Sequence, residues 1–222
     1  MKDNLKLLKP ITMKAYYKER APVYDQVYHY PERQNDLRFL EDYVTQRFAG
    51  LDVLEIAAGT GYWTQFISQK AQSVLATDVI GELLERLKNR NLPSIVSTKV
   101  IDAYSLVDIS SPFNGAFAGL WLSHVPKQKL KAFILGLHHH LKAGASVIFI
   151  DNSAVQCKRL PITDKDVFDN TYQDRLLENG TIYKVLKNFP TRDELLRLVE
   201  GLSSEAEYIE LENFWLFTYK TI

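Results

Sequence analysis

The chain has 222 residues, 46% of them hydrophobic and 24% charged, with 27 Lys plus Arg against 27 Asp plus Glu. Such a composition excludes a disordered chain, and at roughly 150 residues per domain the length gives about 1.5 domains, which favours one large domain. Proteins that grip a phosphate backbone carry a basic excess, so zero net charge disfavours nucleic acid and favours a small or neutral partner. Cys157, the single cysteine, excludes an intramolecular disulfide and a cysteine-based zinc site and fits a reducing cytoplasm. Lysines interrupt the apolar residues of 1–10, unlike a signal peptide, and no later stretch has the apolar length of a membrane span. The sequence therefore reads as a cytoplasmic protein with no membrane partner.

In chain order, residues 15–48 are rich in tyrosine and charge, with Leu37, Leu40, Val44 and Phe48 at helical spacing. Two helices split near Pro31 are predicted, the second ending at Gly50. The pattern then changes: 51–57 (LDVLEIA) reads as a short strand, 58–61 as a glycine turn and 62–70 as a helix. A strand at 73–77, a helix at 81–89 and a strand at 96–101 repeat the theme, followed by a strand at 115–120, a helix at 127–141 and a buried strand at 146–150 (SVIFI). This alternation predicts an α/β, doubly wound, mostly parallel sheet with helices on both faces. Residues 152–173 are polar and irregular and read as an insertion, Asn179-Gly180 signals a hairpin, and a helix from Pro190 and Thr191 to about Val199 precedes strands at 205–211 and 214–220.

The informative segment is 53–64, VLEIAAGTGYWT. A glycine turn between a strand and a helix lets a ligand approach the backbone at the carboxyl ends of parallel strands. Thr64 stands where the dinucleotide fingerprint G-x-G-x-x-G requires its third glycine, and no G-x-x-x-x-G-K-[ST] phosphate loop occurs. Glu55, four residues before Gly59, would repel a pyrophosphate and attract a cation. A carboxylate among Val53, Leu54 and Ile56 also demands a partner if buried.

Glu55, Ala57, Gly59 and Gly61 resemble the first motif, acidic-x-Gly-x-Gly-x-Gly, of the class I (Rossmann-like) S-adenosylmethionine-dependent methyltransferases of small-molecule type. Ala57 departs from it by replacing the first glycine. The resemblance implies a seven-stranded sheet with an antiparallel C-terminal strand, and S-adenosyl-L-methionine as cofactor. It assigns Asp78, with neighbouring Val79, to the ribose hydroxyls and Asp102, with Ala103 and Tyr104, to the adenine. It covers residues 52–151 clearly and the rest loosely. The implied organisation is one methyltransferase domain over 1–222: a helical cap (1–50), a cofactor-binding core (51–151) and an insertion with sheet-completing strands (152–222). In the segment YYKERAPVYD, Tyr16, Arg20 and Tyr24 resemble cap residues that meet the methionine end of the cofactor, where aromatic faces favour a sulfonium.

Methyl transfer is an in-line displacement that requires alignment and, for a protonated acceptor, a base. His124, after the fourth strand, is the candidate base. Consecutive His138, His139 and His140 point to different helix faces and cannot converge on one metal, and no metal is expected. The expected activity is methylation of a small molecule at oxygen, nitrogen or sulfur. An NAD(P)-dependent oxidoreductase and a non-catalytic S-adenosylmethionine-binding protein stand as the alternatives.

Overall fold

The computed structural model describes residues 13–109 and 112–222, so the lysine-bearing segment 1–10 lies outside the described residues. In chain order the strands are β1 (Asp52–Ile56), β2 (Ser73–Asp78), β3 (Val96–Val100), β4 (Phe113–Gly119), β5 (Leu141–Asn152), β6 (Asp164–Lys165), β7 (Thr171–Leu176), β8 (Ile182–Leu186), β9 (Ser203–Glu210) and β10 (Phe214–Thr221). The α-helices are α1 (Met13–Arg20), α2 (Gln34–Arg47), α3 (Thr64–Ile67), α4 (Gly81–Lys88), α5 (Leu130–His138) and α6 (Arg192–Leu198). Seven strands form the main sheet in the order β3-β2-β1-β4-β5-β10-β9. All pairings in it are parallel except those of β10, which runs antiparallel to β5 and β9. The strand order reverses between β1 and β4, and in open α/β sheets such a switch point opens a crevice at the carboxyl ends of the strands.

Side-chain alternation along the strands separates two apolar layers. Leu54 and Ile56 of β1 pack with Phe133, Ile134 and Leu137 of α5 and Leu195 of α6. Val53 faces the opposite layer with Leu37, Leu40 and Val44 of α2 and Phe48. Val53, Leu54, Glu55 and Ile56 are all buried, which is why β1 reads as a nearly continuous apolar run interrupted by one carboxylate. At the C-terminal end, Thr191 caps α6 through a reciprocal box with Glu194.

The N-terminal cap is more broken than the two helices expected on either side of Pro31. Pro22 has no N–H to donate and disfavours helical geometry in Ala21, and α1 gives way to a 3₁₀ segment, Ala21–Tyr28, kinked at Val23. The helix expected at 62–70 shortens to α3 because i to i+3 bonds, Gln69 N–H to Phe66 O and Lys70 N–H to Ile67 O, tighten its end. The helix expected at 127–141 contains α5, preceded by a 3₁₀ turn, and β5 begins at Leu141, where His140 O already accepts Phe113 N–H. The hairpin forms around Asn179-Gly180, and β7 and β8 take up β6 from the insertion to make a separate three-stranded antiparallel sheet. That sheet packs on α1 through Tyr16, Tyr183 and Val185.

Candidate active site

At the switch point, a cavity of about 230 Å³ is lined by Ala57, Asp78, Val79, Ile101, Asp102, Ala103, Leu120 and Trp121, together with Tyr17 and Tyr24 of the cap and His124. The expected residues Ala57, Asp78, Val79, Asp102, Ala103, Tyr24 and His124 are thus brought together. Ala57 and Leu120, just past β1 and β4, both hold left-handed backbone (φ 53° and 56°), a conformation that costs a non-glycine residue about 1–2 kcal/mol and is retained where a site needs the turn. Ala57 replaces a glycine of the family motif and still adopts the glycine-like geometry.

The remaining turn residues lie behind this wall. Gly61 has φ 82°, and a Cβ there would lie 2.5 Å from Cγ of Leu87. Gly59 has φ 59° and is covered by Tyr24, whose hydroxyl would lie 2.8 Å from an added Cβ. Glu55 is buried beneath the turn and does not line the cavity; it accepts a hydrogen bond from Thr64 Oγ1 at 2.7 Å. Burial raises its pKa to about 8, against which the Thr64 bond works, so the group is largely protonated at neutral pH.

Asp78 ties the turn to the second strand. Its Oδ2 accepts Gly59 N–H at 2.9 Å and its Oδ1 accepts Ile80 N–H at 2.8 Å. Burial pushes its carboxyl up and these N–H bonds pull it down, with burial dominant. A carboxylate offers about four lone-pair directions, so two N–H bonds leave acceptor capacity on the cavity side. Asp102 is exposed at the rim, with Oδ1 accepting Tyr104 N–H at 2.9 Å.

His124 and Tyr17 form the end wall. His124 is buried, with Nδ1 2.6 Å from Leu186 O and Nε2 2.7 Å from Tyr17 Oη. Burial first, then the positive charge of Lys187 and Arg175, holds the imidazole well below the ordinary histidine range, so it is neutral at pH 7. Because Leu186 O only accepts, Nδ1 carries the proton, and the Tyr17 hydroxyl donates to Nε2. Behind this pair, Lys187 Nζ donates to Asp151 Oδ1 at 2.6 Å and to Ser123 Oγ at 2.7 Å, fixing the loop that carries His124.

Tyr16 and Arg20 do not line this cavity. They line a second one, of about 440 Å³, between the cap and the small sheet, with Arg33, Gln156 and Arg175. A narrow space of about 40 Å³ bordered by Tyr17, Tyr24, Leu120 and His124 joins the two. Tyr17, Arg33, Arg175 and Lys187 border these spaces without belonging to any sequence motif. Tyr17 adjoins the cap residue Tyr16, whereas the others sit in segments with no local signal.

Residues 53–145 match the methyltransferase domain family. Among solved structures, the chain is similar to DhpI in complex with SAH (26% identity, TM-score 0.77, covering 94% of each chain). It is likewise similar to the DhpI–SAM–HEP complex (25% identity, TM-score 0.75, covering 93% of this chain and 94% of that one). The PH0226 protein from Pyrococcus horikoshii OT3 shares the fold (16% identity, TM-score 0.74, covering 95% and 100%). No curated protein matches by sequence. The doubly wound sheet, the glycine turn and these matches define an enzyme that transfers methyl groups. Residues 53–145 thus form a methyltransferase domain on the class I fold of the S-adenosylmethionine-dependent methyltransferases, and its cofactor is S-adenosylmethionine.

The residues of the first cavity fit that cofactor. Trp121 Nε1 is buried on its wall without a hydrogen-bond partner, Asp78 retains acceptor capacity, and Val79, Ile80, Leu83, Ile101 and Ala103 provide apolar surface for a planar ring. Among the described residues no helix is long and apolar enough to cross a membrane.

Proposed function

We propose that this methyltransferase acts on a small-molecule acceptor, at oxygen, nitrogen or sulfur, that enters between the N-terminal cap and the β6–β8 sheet. The observation that carries the reading is the junction of the two cavities at Tyr17, Tyr24, Leu120 and His124. The larger cavity has the volume of a small-molecule site and sits away from the switch-point crevice. DhpI forms a complex with both SAM and HEP, and this chain, at 25% identity, likewise has room for two compounds side by side.

In this reading Asp78 receives the ribose hydroxyls, Asp102 and Ala103 meet the adenine with Val79 beside it, and Ala57 and Tyr24 border the methionine end. Glu55, Gly59 and Gly61 act from behind, by shaping the turn. The bound cofactor supplies an electrophilic methyl group. Tyr17 lies where an acceptor proton would leave: its oxygen takes that proton as its own passes to His124 Nε2, which is unprotonated at neutral pH. Enclosure by the cap excludes water from the junction. The division into cap, core and insertion within one domain, and a cytoplasmic location, belong to the same proposal.

The test is a screen of small molecules with S-adenosylmethionine, following formation of the demethylated cofactor. Turnover on at least one acceptor is expected. Methylation confined to proteins or nucleic acids would overturn the small-molecule reading.

A further inference from the structure

The narrow space beyond Tyr17 and His124 has an unusual lining for a chain of zero net charge. Arg20, Arg33, Arg175 and Lys187 all border it, together with Asn152, Gln156 and apolar or aromatic residues, and among the described residues no carboxylate does. Lys187 is neutralised by Asp151 at 2.6 Å. Among the described residues Arg20, Arg33 and Arg175 form no ion pair. Arg33 and Arg175 are each only 6% exposed, so neither charge is dispersed into solvent.

Buried charge is retained where a counter-charge meets it, and the protein supplies orientation here without neutralisation. Arg33 donates to Val27 O at 3.1 Å, and its guanidinium carbon lies 5.2 Å from the Phe214 ring centre. Arg175 donates from Nη2 to Gln173 Oε1 at 3.0 Å and lies 5.6 Å from the Tyr16 ring centre. Half-buried Arg20 reaches Tyr16 Oη at 3.4 Å. Three unpartnered buried atoms point to a missing ligand on this wall: Arg175 Nε, Asn152 Oδ1 and Gln156 Oε1. The carboxylates at the mouth of the larger cavity, Glu19 and Glu178, are exposed and do not border the narrow space.

We infer that the acceptor of this methyltransferase is a small oxyanion, of carboxylate or phosphate type, whose anionic group is held by Arg20, Arg33 and Arg175. The inference rests on the small-molecule reading above and names its substrate class. Guanidinium groups suit the role because their rigid fork of N–H donors matches an oxyanion's geometry. The Asn152 amide, oriented by its Nδ2 donation to Asp151 Oδ1 at 3.4 Å, presents Oδ1 as an acceptor for a donor group beside the charge, and the Gln156 amide offers either end after a flip.

The test is calorimetry on protein saturated with S-adenosylhomocysteine, using inorganic phosphate and acetate as anionic probes and acetamide as the neutral one. Saturable one-to-one binding of phosphate or acetate, with none of acetamide, is expected, and the stronger anion identifies the class. Arg175→Gln and the less buried Arg20→Gln each weaken that binding roughly 10–100-fold, the loss of a charge-assisted bond, while S-adenosylhomocysteine still binds. Arg175→Lys restores part of the affinity. Absence of saturable anion binding, or unchanged affinity in both glutamine variants, would overturn the inference. Turnover of neutral small molecules that ignores both substitutions overturns it while leaving the small-molecule reading intact. Anion binding at the arginines with methylation confined to macromolecules overturns both, because the bound anion is then not the acceptor.

Discussion

Tyr17 and His124, 107 residues apart, meet with Oη 2.7 Å from Nε2 at the junction of the two cavities. If this pair carries the acceptor proton, Tyr17→Phe lowers kcat roughly 100-fold, within the range of general-base effects, with little change in cofactor affinity. His124 is held well below 6.5, so the rate of wild-type transfer stays level down to about pH 6.5 and falls only in more acid solution, as the base protonates. Pre-steady-state rates across pH check both points. A Tyr17→Phe variant with full kcat would remove the pair from the chemistry.

The buried ion pair behind His124 predicts a second outcome. Burial pushes the Asp151 carboxyl up, but Lys187 and His124 outweigh it, so Asp151 is ionised well into acid solution. Removing one partner strands the other charge, so Asp151→Asn and Lys187→Met each cost about 3–5 kcal/mol. The double variant loses less than the sum of the two, because no orphan charge remains. Denaturant unfolding of the three variants measures this, and strictly additive losses would show that the two residues act separately.

How far the sequence disclosed all this depended on how local each feature is. The turn after β1, the carboxylate ending β2 and the histidine after β4 sit at fixed offsets from strands, and the strand alternation was plain; Ala57, Asp78, Asp102 and His124 could be selected that way. Arg33 comes from the cap, Arg175 from β7 and Lys187 from just past β8, and nothing in their neighbourhoods marks convergence. Glu55 shows a different limit. Its type and position signalled importance, but the two-residue period of β1 turns it toward Thr64 and away from the cavity.

That placement has a consequence for stability. The Glu55 carboxyl has a pKa raised from 4.5 to about 8, so between those values the folded protein binds more protons than the unfolded chain. Its stabilising contribution is full below the unfolded value, declines as pH rises and is lost through about 8. Glu55→Gln keeps an acceptor for Thr64 and removes the titration. Unfolding at about pH 5 and about pH 8 is expected to show a pH-dependent loss roughly 3 kcal/mol smaller in the variant than in the wild type. Parallel pH profiles for the two proteins would mean Glu55 keeps an ordinary pKa.

The central claim is that the cavity at the ends of β1, β2 and β4 holds the methyl donor, with Asp78 as its polar anchor. Calorimetric titration of S-adenosylhomocysteine into the wild type and Asp78→Asn, with folding of the variant verified by thermal unfolding, tests it most directly. The account predicts one-to-one binding to the wild type and an affinity at least about tenfold weaker in the variant, the effect of losing a charge-assisted hydrogen bond to a diol. Equal affinity in the two folded proteins would contradict it.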